Sequence, residues 1–434
     1  MEDIPPNMPI DAYGVYEPDG MCIWMNEDLQ GNIVSRNTGV LSHEFTHYMH
    51  SISTFHAISD LLDLIFFVHA SIQRLEEQEQ EVRLPLKTWA KEPSSPDFVK
   101  DFVNGVRNRR DRILRSLGRH ADNGPPNAVP AGLLYKKNNT YFIRVTNTLG
   151  IPVQRLALME GAATAKKCEA LGNPNDLIQK RNAGLWHYVA AYEACRSANK
   201  HIDPLSTAKY LCDVALCADD PGRIFAMGIM RLSKLGGKGS LDQFEDDVSN
   251  LYNSACRQSI DIQKENLERA LATLPDYEFN GQESWATVSL NNAFMAVAKR
   301  QNSPLSLIKP AYLGKELLNL ATEIGSPVIL TNDMRLTMLC RVNSPFSLYG
   351  TLAVRTLSYL CKWVVEAETT PLVCPYAGCP ECPPTRRGEH CKNDARKVIS
   401  LPDELPWCAL YYSAQQLRLG EIIGEDLKRR DFGS

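Results

Sequence analysis

Apolar and polar positions along the chain follow two periods. Near the start, Tyr13 to Glu27 (YGVYEPDGMCIWMNE) alternates with period two around a Pro18-Asp19-Gly20 turn, and Met21 to Asn26 reads as a strand. A polar loop from Gln30 follows, and Thr38 is a fair N-cap for what comes next. From there the helical period takes over. Val40, Leu41, Phe45 and Met49 can bury one side of a helix, and Ala57 to Glu81 continues as a second helix with a Glu- and Gln-rich exposed tail. Asp97 to Arg119 is helical and rich in arginine. Asn123 to Pro130 (NGPPNAVP) breaks the pattern, and Gly132 to Val145 predicts a hairpin turning at Asn138-Asn139. Helices are then expected over Pro152 to Leu171, Leu177 to Asn199, Pro204 to Cys217, Gly222 to Leu235 and Leu241 to Leu274. A linker, Leu274 to Ser284, precedes further helix to about Glu368. A proline- and cysteine-rich loop, Pro371 to Cys391, and a last helix, Pro406 to Lys428, complete the order. The expected fold class is mainly α with a small β element.

Composition narrows the function classes. With 44% hydrophobic and 23% charged residues in 434, a sizeable core is available and wholesale disorder is not expected. A net charge of -4 does not point to nucleic acid. Arg107, Arg109, Arg110, Arg112, Arg115 and Arg119 lie on one helix interrupted by Asp111, which reads as a solvated face. The opening MEDIPPNMPIDAYG has no basic start followed by an apolar run, so no signal peptide is expected. The most apolar run, Leu61 to Ile72, is broken by Asp63 and His69 and falls short of the roughly 20 residues of a membrane span. The 13 cysteines are odd in number and mostly scattered through helical patterns, which suits reduced thiols and a cytoplasmic location. Gly236-Gly237-Lys238-Gly239 lacks the preceding strand and the spacing of a phosphate loop and reads as a helix connection.

The chemistry concentrates in SHEFTHYMHSISTFH, Ser42 to His56. His43, Glu44 and His47 form H-E-x-x-H. The i, i+4 spacing puts both imidazoles on one helix face, within reach of one zinc ion at about 2 Å each. Glu44, one residue on, is placed to exchange protons with a zinc-activated water. The alternative is an ordinary helix that meets the pattern by chance. His50 shares the face but lies about 10 Å along the axis from His43, too far for the same ion on a rigid helix. Ser53 stands where a third histidine would fall in HExxHxxGxxH, so His50 is expected as a cleft-wall or supporting residue. His56 reads as a surface or interhelix histidine. The candidate third ligand is Glu160, in LALMEGAATAKKCEAL, with Gly161, Ala162 and Ala163 allowing close approach of the metal helix; Glu169 competes.

HEFTHYMHSIS, the downstream LMEGAA and LCDVALCADDPGRIF (Leu211 to Phe225) together resemble a group of largely uncharacterised bacterial zincin-like proteins of the gluzincin type. The resemblance covers roughly Tyr13 to Leu235 and implies that His43, His47 and Glu160 bind zinc with Glu44 as general base. The chain departs from the family at His50, where glutamine is usual. A zincin-like metallopeptidase core over 1–235, a helical region over 236–370 and a Cys-rich loop with a C-terminal helix over 371–434 are the expected divisions.

The implied activity is zinc-dependent hydrolysis of peptide bonds in a protein or peptide substrate, with no nucleic-acid or membrane partner. Two alternatives stay open: a non-catalytic zincin scaffold acting as a binder or sensor, and a hydrolase of a non-peptide amide. Peptide hydrolysis needs a donor for the developing oxyanion, for which His187, Tyr188 and Tyr192 are candidates beside their role as packing residues. The strand Met21 to Asn26 is expected as the edge strand that pairs with extended substrate. Cys374, Cys379, Cys382 and Cys391 (C-x4-C-x2-C-x8-C, with His390 adjacent) are candidates for a second, structural zinc, or else free thiols or a disulfide. The C-terminal region beyond the resemblance is the place expected for regulation.

Overall fold

Two short sheets and a set of packed helices account for the residues that the computed structural model describes: 14–17, 21–25, 38–76, 84, 86–117, 132–273, 285–331, 336–339, 356–357, 359–361, 363–365, 372, 374 and 409–416. In chain order, β1 (Gly14–Glu17) and β2 (Cys22–Met25) precede helices α1 (Thr38–Ser53), α2 (Phe55–Glu76), α3 (Leu86–Trp89) and α4 (Asp97–Leu117). Strands β3 (Leu134–Lys137), β4 (Thr140–Arg144) and β5 (Gly150–Pro152) lead into α5 (Arg155–Leu171). Then come α6 (Asn175–Asn182), α7 (Trp186–Ala198), α8 (Pro204–Leu216), α9 (Pro221–Leu235), α10 (Leu241–Ala255) and α11 (Arg257–Thr273). Helices α12 (Trp285–Asn302) and α13 (Gly314–Ile324), strands β6 (Val328–Thr331) and β7 (Leu336–Met338), and α14 (Ala409–Gln416) follow. The protein is mainly α with a small β component, as its periodicity indicates.

The two sheets arise differently. Strands β3, β4 and β5 form an antiparallel meander of sequence neighbours. Asn138 (φ 48°) and Asn139 (φ 63°) turn its hairpin in the left-handed conformation that asparagine tolerates. The other sheet has the order β1-β2-β6-β7 and joins segments distant in sequence: β2 pairs in parallel with β6, Ile23 opposite Ile329. The strand expected at the sheet edge is therefore β2, but it lies inside the sheet, and β1 is the edge beside α1. Strands β6 and β7 fall where helix was expected. A four-residue apolar run such as VILT carries no period of its own, and its partner lies far away in sequence.

Other boundaries shift for local reasons. Pro152 does not open a helix but ends β5, where no further strand needs its missing N–H. The expected helix over Leu177 to Asn199 is two helices, separated at Gly184 (φ +74°). Leu241 to Leu274 likewise divides at Cys256. Aspartates cap α8 and α9: Asp203 accepts from the amides of Leu205 and Ser206, Asp220 from that of Arg223, and a proline follows each at the first helical position. The linker Leu274–Ser284 lies outside the described residues.

One contiguous apolar core runs from Tyr16 to Ala414, with α1 and α5 at its centre. It crosses the expected division at 235/236, since α1 packs on α12 and β2 pairs with β6. Among the described residues no single helix is long and apolar enough to cross a membrane. The arginine-rich helix α4 shows Arg107 and Arg112 exposed, the latter paired with Asp63.

Candidate metal centre

Helix α1 is buried on nearly all sides, its polar positions included. Leu41, Phe45 and Met49 are apolar anchors, while Ser42 donates to the Tyr312 carbonyl (2.8 Å) and Thr46 to the Ser42 carbonyl (2.7 Å). Such local bonds let a helix carry hydroxyls into a core without orphaned groups. Helix α5 lies antiparallel against α1, for Gly39 near the start of α1 meets Leu171 at the end of α5. A Cβ at Gly39 would sit 2.9 Å from the Leu171 side chain, so glycine sets this close approach. Gly161 acts elsewhere than expected: a Cβ there would meet Ala191 of α7 at 2.9 Å and Cys212 of α8 at 3.4 Å, so it fits α5 to those helices rather than to α1.

The crossing brings His43, His47 and Glu160 together. Glu160 Oε2 lies 3.2 Å from His43 Nε2 and 3.5 Å from His47 Nε2, and the two Nε2 atoms are 3.2 Å apart. The rings meet edge to face, centroids 4.8 Å apart. Three ligands about 2.0–2.1 Å from a tetrahedral zinc ion lie about 3.3 Å from one another, so the three atoms already have the spacing of one face of such a site. Neither Glu160 Oε2 nor the Nδ1 atom of either histidine has a well-aligned hydrogen-bond partner among the described residues. A partly buried carboxylate facing two imidazoles, with no lysine or arginine in contact among the described residues, is an arrangement that could hold a metal ion. The group could hold a metal ion, and its two-nitrogen, one-oxygen donor set is compatible with zinc. Burial opposes charge on Glu160, but His47 and His43 outweigh it and hold the carboxyl well below its ordinary range. For His47, burial works downward and Glu160 prevails, raising the imidazole.

Glu44 points to the sheet edge. Its Oε2 accepts the backbone N–H of Tyr16 in β1 at 2.8 Å. Gly14 makes this contact possible, since a Cβ there would come within 2.6 Å of Val40 and 3.2 Å of Glu44 Cγ. The other carboxylate oxygen receives no hydrogen bond from the described residues.

Of the three proposed donors, Tyr188 is at the site. Its ring centroid is 6.1 Å from that of His43, and burial followed by the Glu160 and Glu44 carboxylates raises its phenol. His187 packs against Tyr188 with the rings tilted by 41° and their centroids 4.3 Å apart. Tyr192 packs with Cys168, Leu177 and Val189, and its charged neighbours are Arg196, Glu193 and Asp203 rather than Glu160. One residue at the site escaped the sequence reading. Lys180 Nζ sits 3.8 Å from the Tyr188 ring centroid and donates to Thr164 Oγ1 at 3.2 Å, one turn along α5 from Glu160. A lysine in the polar segment NDLIQKRN gives no sign of this placement.

The remaining candidates are elsewhere. His50 is fully buried and does not line a cleft; its Nε2 lies 3.3 Å from Asp213 Oδ1. Arg300 holds Asp213 through two bonds (2.6 and 2.9 Å) and also donates to Ser53 Oγ at 2.9 Å. Asp213 is the one acid in the apolar run KYLCDVALC, and that isolation was a usable sign of a buried partner. Glu169, the rival ligand, instead takes Lys166 and Lys209, each at 2.5 Å. His56 bonds the Asp219 carbonyl at 3.0 Å. Cys168, Cys195, Cys212, Cys217 and Cys256 are buried free thiols. Cys374 is buried, whereas Cys379, Cys382 and Cys391 lie outside the described residues.

No protein-family model, curated protein or solved structure matches the chain.

Proposed function

We propose that the protein is a zinc-dependent metallopeptidase of gluzincin type, in which His43, His47 and Glu160 hold zinc and Glu44 is the general base. The convergence of His43 Nε2, His47 Nε2 and Glu160 Oε2 within 3.5 Å of one another carries this reading. A zinc ion held there supplies Lewis acidity toward water and toward a carbonyl oxygen. Glu44 uses the oxygen not bonded to Tyr16 to take a proton and pass it to the leaving amine. The Tyr16 N–H fixes the carboxylate without neutralising it. Tyr188, beside His43, is the donor for the developing oxyanion. Among the described residues β1 is an edge strand of its sheet, and pairing of an extended peptide along such an edge would favour a protein segment over a non-peptide amide as substrate.

The test is Glu44→Gln beside the wild-type protein, each with its zinc content measured. Glutamine keeps the hydrogen bond to Tyr16 N–H but accepts no proton, so peptide cleavage is expected to fall about 10²–10⁴-fold with one zinc retained. Equal cleavage by both proteins, or no zinc in either, overturns the proposal.

A further inference from the structure

A lysine at a metal centre changes what the centre prefers to bind. Lys180 reaches the site from α6. Its ammonium is 3.8 Å from the Tyr188 ring centroid and 3.2 Å from Thr164 Oγ1, while Tyr188 in turn faces His43. The Lys180 and Glu160 side chains are each 15% exposed, so both open to solvent to the same narrow extent.

Its charge is only half answered. Asp176 is the carboxylate that pairs with Lys180, at 3.3 Å, but Lys167 holds the same group more closely, at 2.7 Å. Two ammonium groups thus share one carboxylate, leaving one positive charge over. The other neighbours of Lys180, a threonine hydroxyl and an aromatic face, are neutral. The next carboxylate that supports its charge is Glu160, which the metal would engage. A partly buried cation with a shared counter-ion interacts strongly with a second anion, because little solvent screens it.

Resting on the peptidase reading above, we propose that Lys180, seated on the Tyr188 ring, forms a carboxylate-binding subsite beside the metal centre, so that preferred substrates carry an anionic group next to the cleaved bond. That carboxylate is either an Asp or Glu side chain or the C-terminus of the peptide. The two sources share one chemistry and differ in which peptides are cut.

The experiment uses the full chain loaded with zinc. Succinic monohydroxamate and its neutral amide counterpart are titrated by calorimetry, since both engage zinc and only one carries a carboxylate. The wild-type protein is expected to bind the carboxylate form about tenfold more tightly, the size of one charge-assisted contact. Lys180→Gln is expected to bring the ratio near one, with affinity for the neutral form and zinc content unchanged. Lys180→Arg is expected to keep most of the preference. Equal binding of the two probes by wild-type protein overturns the subsite, and that comparison stands even if Lys180→Gln does not fold. Equal weakening of both probes in Lys180→Gln also overturns it.

Matched peptides then identify the source. A Glu-over-Gln preference in amidated peptides assigns a side chain, and a preference for free over amidated C-termini assigns the terminus. A carboxylate preference among hydroxamates without cleavage of any peptide keeps the subsite and overturns the peptidase. Cleavage indifferent to charge does the reverse.

Discussion

Two ionic clusters hang from the same helix, three residues apart, and they are built to opposite rules. Around His50, Ser53 and Met49 the chain supplies both signs of charge: Arg300 from α12 grips Asp213 from α8, and both are fully buried. Around His43 and His47 the chain supplies two carboxylates, Glu160 and Glu44, and two imidazoles, and no lysine or arginine touches Glu160 among the described residues. The lower cluster is electrically complete and joins three helices. The upper one is short of a cation and opens toward solvent. A buried ion pair that is closed within the chain holds structure in place, whereas a partly exposed carboxylate facing two imidazoles could hold a metal ion.

The difference is sharpest in what each cluster does when its acid is removed. Asp213→Ala strands Arg300 in the core and is expected to cost about 3–5 kcal/mol, with or without zinc, as read by denaturant unfolding. Replacing Asp213 and Arg300 together by apolar residues is expected to cost less than the single change. Equal losses in single and double variants would contradict the closed-pair account.

Glu160→Gln is expected to behave differently. In metal-free protein it removes a carboxylate that His47 and His43 hold below its ordinary range, so it is expected to cost some stability at neutral pH. It also loses the response to zinc. At a hundredfold excess of free metal over its dissociation constant, wild-type protein gains about 2.7 kcal/mol and the variant none. Thermal melts with and without a chelator read this directly, and a zinc response kept by Glu160→Gln removes Glu160 from the ligand set.

The smallest expected effect is in pH. Burial lowers the His50 imidazole from its ordinary 6.5, with Asp213 opposing. Asp213 is lowered from 3.8: burial pushes it upward, but Arg300 prevails. For both, the unfolded chain takes up a proton at a higher pH than the folded one. The contribution of this cluster to stability is therefore complete above about 6.5, starts to fall below it through His50, and falls further below about 3.8 through Asp213. His50→Gln should abolish the first loss and leave the second, in unfolding measured across pH in metal-free protein. A first loss that persists in the variant would assign it to another group.

Much of the upper cluster was legible beforehand and little of the lower one. His43 and His47 are a single helical turn apart, so their convergence follows from helix geometry alone. Glu160 stood out through the resemblance, although the small residue beside it serves a different contact, with α7 and α8. His50, read as a cleft-wall or supporting residue, is walled in by α8 and α12 and lines no cleft, because a histidine in a helical pattern does not announce what packs over it. Lys180 was invisible for the same reason. Its environment is set by α5 and α7, not by its own neighbours in sequence.

The amino-acid order by itself determined the local objects: the helix carrying H-E-x-x-H, the Asn138-Asn139 hairpin, and the aspartate–proline starts of α8 and α9. These depend on dihedral preferences and short-range hydrogen bonds. Only the tertiary structure decided that β1 rather than β2 faces Glu44, that a strand near residue 330 completes the N-terminal sheet, and that Asp213 meets Arg300. Those outcomes depend on which surfaces are buried together across hundreds of residues, and no periodicity in the chain encodes that.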